Sequence, residues 1–324
     1  MDLFDSLKSK IKGKKISLVF PEGSDRRIVE AASRLAADDL AHPILLGTND
    51  EISKVATSID ASLDGVEIVD FENQPQDVIN SMVNAIVERR KGKTDEEKAR
   101  QWLKDANYFG TTMVYMDKVD GMVSGAFHPT GDTVRPALQI IKTKPGVNLI
   151  SGSFVMQKGD QRYLFADCAI NLELDAQQMA EVAVVSAEMA KTFDIDPKVA
   201  MLSFSTKSSA KGDMVTKVQE ATKLAKEMAP DLPIDGEFQF DAAFVPEVAA
   251  QKAPDSDVAG HATVFIFPSL EAGNIGYKIG QRFGGFEALG PILQGLNKPV
   301  NDLSRGSNPE DVYKVAIITA AQAL

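Results

Sequence analysis

The sequence predicts an α/β protein of two domains, and three observations lead there. Short apolar runs of strand length alternate with amphipathic stretches of helical spacing, the pattern of βαβ units and parallel sheets. The 324 residues exceed what one ordinary core organises and suit two domains of roughly 150 residues each. The composition, 44% hydrophobic and 25% charged, is that of a globular chain able to bury a sizeable core.

The elements follow in order. Leu3, Phe4, Leu7 and Ile11 share one side of a helix over residues 1–12, and Ile16–Phe20 is a buried strand stopped by Pro21-Glu22-Gly23-Ser24. Asp25 opens a helix with Ile28, Ala32, Leu35 and Ala36 on its apolar face. Strands are expected at Pro43–Gly47 and Val66–Val69. The spacing of Ile79, Val83, Ile86 and Val87 predicts a helix over 78–90, ending in the basic run Arg89-Arg90-Lys91-Gly92-Lys93. A charged helix over 94–106 and strands at Thr112–Tyr115 and Gly121–Ala126 complete the first domain, whose expected extent is 1–145 plus 297–324. In the second domain, 146–296, strands are expected at Val147–Phe154, Arg162–Ala169, Val199–Phe204, Thr263–Phe267 and Leu289–Leu293, with helices over 176–193, 213–228 and 271–279. The acids Asp235, Glu237 and Asp241 are read as following a short strand, in no metal-ligand spacing.

Charge and residue usage exclude several functions. A net charge of −11 argues against general binding to nucleic acid or anionic membranes, so any anion site has to be local and built from a few arginines. The single Cys168 permits neither an internal disulfide nor a cysteine zinc cluster and suits a reducing compartment. It follows the apolar run Tyr163–Ala166 and reads as packing rather than as a nucleophile. His42, His128 and His261 are too dispersed for a histidine metal site. No apolar stretch approaches ~18 residues and the N-terminus lacks a signal-peptide core, so a cytoplasmic protein is expected, with no membrane partner.

Two loops stand out. Asn301–Asp311 runs from the end of a strand into a helix continued by Val312, Val315, Ala316 and Thr319, and it gathers a hydroxyl (Ser304), a guanidinium (Arg305) and a carboxylate (Asp311) around one chain reversal. Ser307 or Asn308 is a plausible N-cap, Pro309 suits the first turn, and acids belong there, so a capped helix alone accounts for Asp311 equally well. Ser124–Arg135 repeats the logic: small residues, a helix start at Thr130, and Arg135 placed to grip an oxyanion bidentately. There is neither a Walker pattern nor a G-x-G-x-x-G fingerprint.

Thr130–Ile141, Asp235-Gly236-Glu237, Phe267–Lys278 and Asp302-Leu303-Ser304-Arg305-Gly306 together resemble the phosphotransacetylase (phosphate acetyl/butyryltransferase) family, over essentially the whole chain. The resemblance implies two α/β domains with an interdomain cleft, an isocitrate/isopropylmalate dehydrogenase-like architecture, and a homodimer whose interface lies in the second domain. It implies reversible acetyl transfer between acetyl-CoA and phosphate, giving acetyl phosphate and CoA. Family motifs place Ser304, Arg305 and Asp311 in the catalytic site and Arg135 and Arg89 (with Arg90 as rival) on phosphate; the residues themselves add Thr130 and Ser124, at the helix start and its small-residue approach, and Tyr277 and Lys278, which offer polar reach, as further phosphate or acetyl phosphate ligands. Some members carry cysteine where this chain has Ser307, which argues against a covalent acyl-cysteine.

The expected mechanism is direct attack of the CoA thiolate on acetyl phosphate in a ternary complex. Asp311 takes the thiol proton, Arg305 keeps Asp311 ionised and Ser304 hydrogen-bonds the reacting group. No metal or cofactor is needed on this account; CoA and acetyl phosphate are substrates. Alternatives are a butyryl-preferring acyltransferase, a decarboxylating dehydrogenase of the same architecture, and a non-catalytic CoA- or phosphate-binding domain.

Overall fold

Unbroken apolar runs become central strands, and acids just before helices become their caps. The computed structural model describes residues 2–324. The chain divides into two compact units, Met1–Thr143 with Leu296–Leu324, and Lys144–Gly295.

In the first unit, α1 (Leu3–Ile11) is capped by Asp2, which accepts from Phe4 N at 3.0 Å, and it buries Leu3, Phe4, Leu7 and Ile11. β1 (Ser17–Phe20) leads into α2 (Arg26–Ala37), whose N-cap Asp25 accepts from Arg27 N. β2 (His42–Leu46) is followed by α3 (Asn49–Ser58), which periodicity does not announce because only Ile52 and Ala56 face inward. Next come β3 (Glu67–Val69), α4 (Gln76–Arg90), α5 (Glu96–Trp102), α6 (Ala106–Tyr115), β4 (Gly121–Ser124) and α7 (Thr130–Pro136), which runs into a π-helical turn at Ala137–Ile141.

Two expectations are corrected here. The charged helix over 94–106 is interrupted, because Asp105 accepts from Asn107 N and Tyr108 N and starts a new helix. Thr112–Tyr115 is therefore the last turn of α6 and not a strand. Thr112 Oγ1 donates to Tyr108 O at 2.7 Å, so its hydroxyl is satisfied within the helix, and capping and packing override β-branched propensity. Gly110 lets α6 approach Met122, Pro21 and Val19 closely.

The second unit opens with β5 (Ser151–Lys158), joined to β6 (Gln161–Ala166) by a two-residue turn in which Gly159 has φ +57°. Ser151, Gly152 and Ser153 lie inside this strand rather than at its end. Gln294 Nε2 donates to Ser151 Oγ (2.9 Å), Ser153 Oγ donates to Ile292 O (3.3 Å), and a side chain at 152 would overlap Ala169. α8 (Ala176–Thr192), β7 (Val199–Leu202), α9 (Asp213–Met228), β8 (Ile234–Phe238), α10 (Phe240–Phe244), α11 (Pro246–Lys252), β9 (Val264–Ile266), α12 (Leu270–Arg282) and β10 (Glu287–Gln294) follow. The sheet order is β10-β5-β6-β9-β7-β8, with antiparallel pairs at the β10-β5-β6 end and parallel pairs thereafter.

Asp235 and Glu237 lie within β8, not after it, and each carboxylate is matched. Asp235 pairs with Lys207 and Lys226 at 2.8 Å each, and Glu237 accepts from Ser205 Oγ (2.9 Å) and Ser208 N (2.7 Å). Burial pushes the Asp235 carboxyl up, but the lysines outweigh it and hold it at about 2. Cys168 is fully buried, and burial raises its thiol well above the ordinary value, which keeps it protonated and inert.

The chain then returns to the first unit through β11 (Val300–Asp302) and α13 (Pro309–Gln322), which buries Val312, Ala316 and Ile317. The order in that sheet is β11-β4-β1-β2-β3, all parallel.

Candidate active site

In the first unit, β11, β4 and β1 are neighbours running in one direction, with Asp302 opposite Ser124 and Met122 opposite Val19. The loops leaving their carboxyl ends therefore emerge side by side, where open α/β sheets place ligands. Those loops are residues 303–308, 125–129 and 21–25. Sequence reasoning had singled out the first two but not the third.

The third loop supplies Glu22, which is 2% exposed and holds the second loop by its backbone. Its Oε2 accepts from Gly125 N (3.0 Å) and Ala126 N (2.6 Å). Its Oε1 accepts from Phe127 N (2.9 Å), His128 N (2.9 Å) and His128 Nδ1 (2.8 Å). Four consecutive N–H groups converge on one carboxylate, so the imidazole proton sits on Nδ1, the only arrangement that adds a fifth donor. Gly125 adopts φ +104°, and a Cβ there would collide with Asp302 and Leu303, so the turn requires glycine.

Asp302, 4% exposed, receives Thr130 Oγ1 at 2.6 Å, while its Oδ1 and the neighbouring Thr133 hydroxyl make no hydrogen bond within the protein. Burial pushes the Asp302 carboxyl above its ordinary range; the Thr130 hydrogen bond opposes this and the Glu22 charge adds to it. Ser124 is fully buried and donates to Asn107 Oδ1 at 2.6 Å. Thr130 and Ser124 thus knit β4, α6, α7 and β11 together at this end of the sheet.

On the 303–308 loop, Ser304 and Arg305 are exposed, and Ser304 closes a turn by accepting Gly306 N (Oγ, 3.3 Å) and Ser307 N (carbonyl, 2.8 Å). Asp311 stands one turn into α13 in a capping box: Asn308 N donates to its Oδ2 and Asp311 N donates to Asn308 Oδ1, each at 2.9 Å. Oδ1 of Asp311 carries no protein hydrogen bond. The cap reading of this residue therefore holds through one oxygen, and the other is left without a protein partner on an exposed residue.

The arginines divide by their partners. The Arg135 side chain is 63% exposed and its nearest acid, Asp132, is 4.0 Å away, so its guanidinium is open to an anion. Arg89 is engaged: Nε donates to Ile140 O (2.7 Å) and Nη2 to Ile141 O (2.6 Å), at the end of the helical run that contains Arg135. Arg90 Nη1 reaches Gln139 O at 3.3 Å and lies over Trp102. Burial, with Arg89, Lys91, Arg90 and Lys93 nearby, lowers the Lys142 ammonium, whose Nζ donates to Arg89 O. Tyr277 and Lys278 belong to α12 of the second unit. There Tyr277 stacks on Phe154 with centroids 4.0 Å apart, and Lys278 Nζ donates to Asn274 Oδ1 at 2.9 Å.

Comparison with known proteins decides what family owns these loops. The phosphate acetyl/butaryl transferase family model matches residues 2–320. This chain belongs to that family. A phosphate acetyltransferase of Bacillus subtilis (strain 168) is 60% identical over 323 residues, covering 100% of this chain and 99% of the relative. A solved phosphotransacetylase from Staphylococcus aureus superposes with a TM-score of 0.95 at 57% identity, covering 100% of this chain and 98% of that one. Another from Streptococcus pyogenes gives 0.96 at 58% identity over 99% and 98%. The two-sheet α/β fold is thus the fold of family members, and the acyltransferase class follows from the same match.

The residues that sequence reasoning missed are Glu22 and Arg27. Arg27 contacts backbone of both candidate loops. They lie in Pro21-Glu22-Gly23-Ser24-Asp25-Arg26-Arg27, directly after a buried strand, which reads on its face only as a strand stop and a helix cap.

Proposed function

We propose that this chain is a phosphate acetyltransferase, moving an acetyl group reversibly between CoA and inorganic phosphate. The end-to-end match at 60% identity to a phosphate acetyltransferase carries the reading. Arg135, with an open guanidinium, takes the phosphate of acetyl phosphate; Thr130 and the 125–129 loop shape its surroundings, with Ser124 beneath. The free Oδ1 of Asp311 accepts the CoA thiol proton as the sulfur attacks the carbonyl carbon. The C–S bond forms, the C–O bond to phosphate breaks, and phosphate leaves with the electron pair. Ser304 donates to the developing oxyanion, and Arg305, exposed on the same loop, offers positive charge to the charge that develops there. Arg89 serves through its hold on residues 140 and 141 and presents its charge to phosphate from there. On this account the protein's own residues suffice, and CoA and acetyl phosphate are substrates rather than resident cofactors.

We further propose a cytoplasmic homodimer formed through the second unit. Among the described residues no helix is long and apolar enough to cross a membrane. Ile275, Ile279 and Phe283 line one face of α12 and its end, exposed by 56%, 53% and 91%, beside exposed Phe240. A patch this apolar supports a self-association surface. The activity is tested by mixing acetyl phosphate and CoA and following thioester. No thioester from acetyl phosphate, with rapid turnover of butyryl phosphate, would move the reading to the butyryl-preferring branch.

A further inference from the structure

Among the described residues of the first unit, Arg27 is the one guanidinium whose every N–H has a protein acceptor. Nε donates to Asp25 Oδ1 (2.9 Å) and Nη2 to Asp25 Oδ2 (2.8 Å), a bidentate pair. Nη1 donates to Arg305 O (2.9 Å) and to Ser307 O (3.1 Å), and Nη2 also donates to Ala126 O (2.7 Å). Five donors meet five acceptors, so none is left for a substrate phosphate. The acceptors lie on both candidate loops, and the guanidinium plane is fixed by Asp25, itself the N-cap of α2 at 2.8 Å from Arg27 N. Burial pushes the Asp25 carboxyl up, but its hydrogen bonds with Arg27 prevail and hold it below its ordinary value, so the anchor stays ionised. From beneath, Glu22 of the same segment grips residues 125–128.

We infer that Arg27 is a positioning residue that fixes the spacing between the loop of Ser304, Arg305 and Ser307 and the loop leading to Thr130 and Arg135, and that acetyl transfer depends on that spacing. The inference rests on the site assignment given above. Attack of the sulfur on the carbonyl carbon needs the thiol held by one loop and the acyl phosphate held by the other to stay within about 0.5 Å of the productive geometry. A misplacement of about 1 Å costs on the order of 10²-fold in rate. Lysine has three donors and no fork, so it restores charge but not the link.

The test is steady-state kinetics of Arg27→Ala and Arg27→Lys in the full chain, with Asp311→Asn alongside, plus calorimetric binding of CoA alone and of inorganic phosphate alone. The expected result for Arg27→Ala is a kcat lower by about 10²-fold, with both dissociation constants changed less than about threefold. Arg27→Lys should fall between, with a melting temperature close to wild type, which keeps the test decisive if the alanine variant does not fold. A wild-type kcat in Arg27→Lys, or a kcat loss that tracks only the unfolded fraction, would overturn the inference. So would an intact kcat with phosphate binding weakened more than about tenfold, since Arg27 would then be a ligand-binding group. Full activity in Asp311→Asn as well would instead overturn the site assignment.

Discussion

Replacing Glu22 by glutamine changes one atom and should cost the first unit much of its stability. In the wild type five donors converge on two carboxylate oxygens, three on Oε1 and two on Oε2. The amide keeps one acceptor, and the least damaging orientation leaves that oxygen facing residues 127 and 128. Its NH2 then faces the N–H groups of Gly125 and Ala126, donor against donor, in a site 2% exposed. Each buried N–H left unsatisfied costs about 1–3 kcal/mol, so the pair amounts to about 4 kcal/mol. For a unit of this size each kcal/mol lowers the midpoint by about 2–4 °C, giving a fall of roughly 10 °C. Thermal unfolding followed by circular dichroism measures it. The same loop leads to Arg135, so the KM for phosphate should rise by about tenfold, equivalent to ~1.4 kcal/mol of lost binding. A midpoint within about 2 °C of wild type would refute the reasoning, because the convergent N–H groups would then not need the carboxylate.

Asp311→Asn keeps an acceptor for Asn308 N, so it should lose at most about 1 kcal/mol of capping energy while kcat falls by roughly 10² or more; comparing kcat with the melting midpoint separates the two roles. Asp235 is held at about 2, below its ordinary 3.8, so its contribution is present above that ordinary value and disappears as pH falls towards 2. The full shift corresponds to about 2 kcal/mol, reduced to about 1 because both lysines are substantially exposed. Urea unfolding of wild type and Asp235→Asn should therefore differ at neutral pH and converge between about pH 4 and 2. Phe283→Glu should turn the proposed dimer into monomer in sedimentation with the first unit's fold retained; a wild type that sediments as monomer, or a variant that stays dimeric, would exclude that face.

The strands and caps were legible because each rests on local signals: apolar runs for β1, β2 and β9, and acids or amides before α2, α8 and α13. Thr112–Tyr115 misled because β-branched residues also fit a helix when capping and packing favour one. The antiparallel edge β10-β5-β6 was illegible, since pairing direction is set by partners far along the chain. At the candidate site, Ser304, Arg305, Asp311 and Arg135 stand out in the sequence as side chains suited to an anion and a proton, and the structure leaves Arg135 and one Asp311 oxygen open. Glu22 and Arg27 were not, because they act on backbone N–H and carbonyl groups about 100 and about 280 residues away, and backbone partners leave no mark in composition or spacing. Arg89 shows the converse: its charge invites a phosphate, yet its Nε and one Nη2 hydrogen are committed to Ile140 and Ile141.

The measurement closest to the central claim is thioester formation from acetyl phosphate and CoA, with wild type and Arg135→Ala compared at equal folded concentration. The account expects rapid formation in the wild type and a loss of about 10²-fold in kcat/KM in the variant, roughly 3 kcal/mol of transition-state binding. Equal turnover by both proteins would contradict the placement of phosphate at Arg135, and no thioester from the wild type would contradict the acetyl transfer itself.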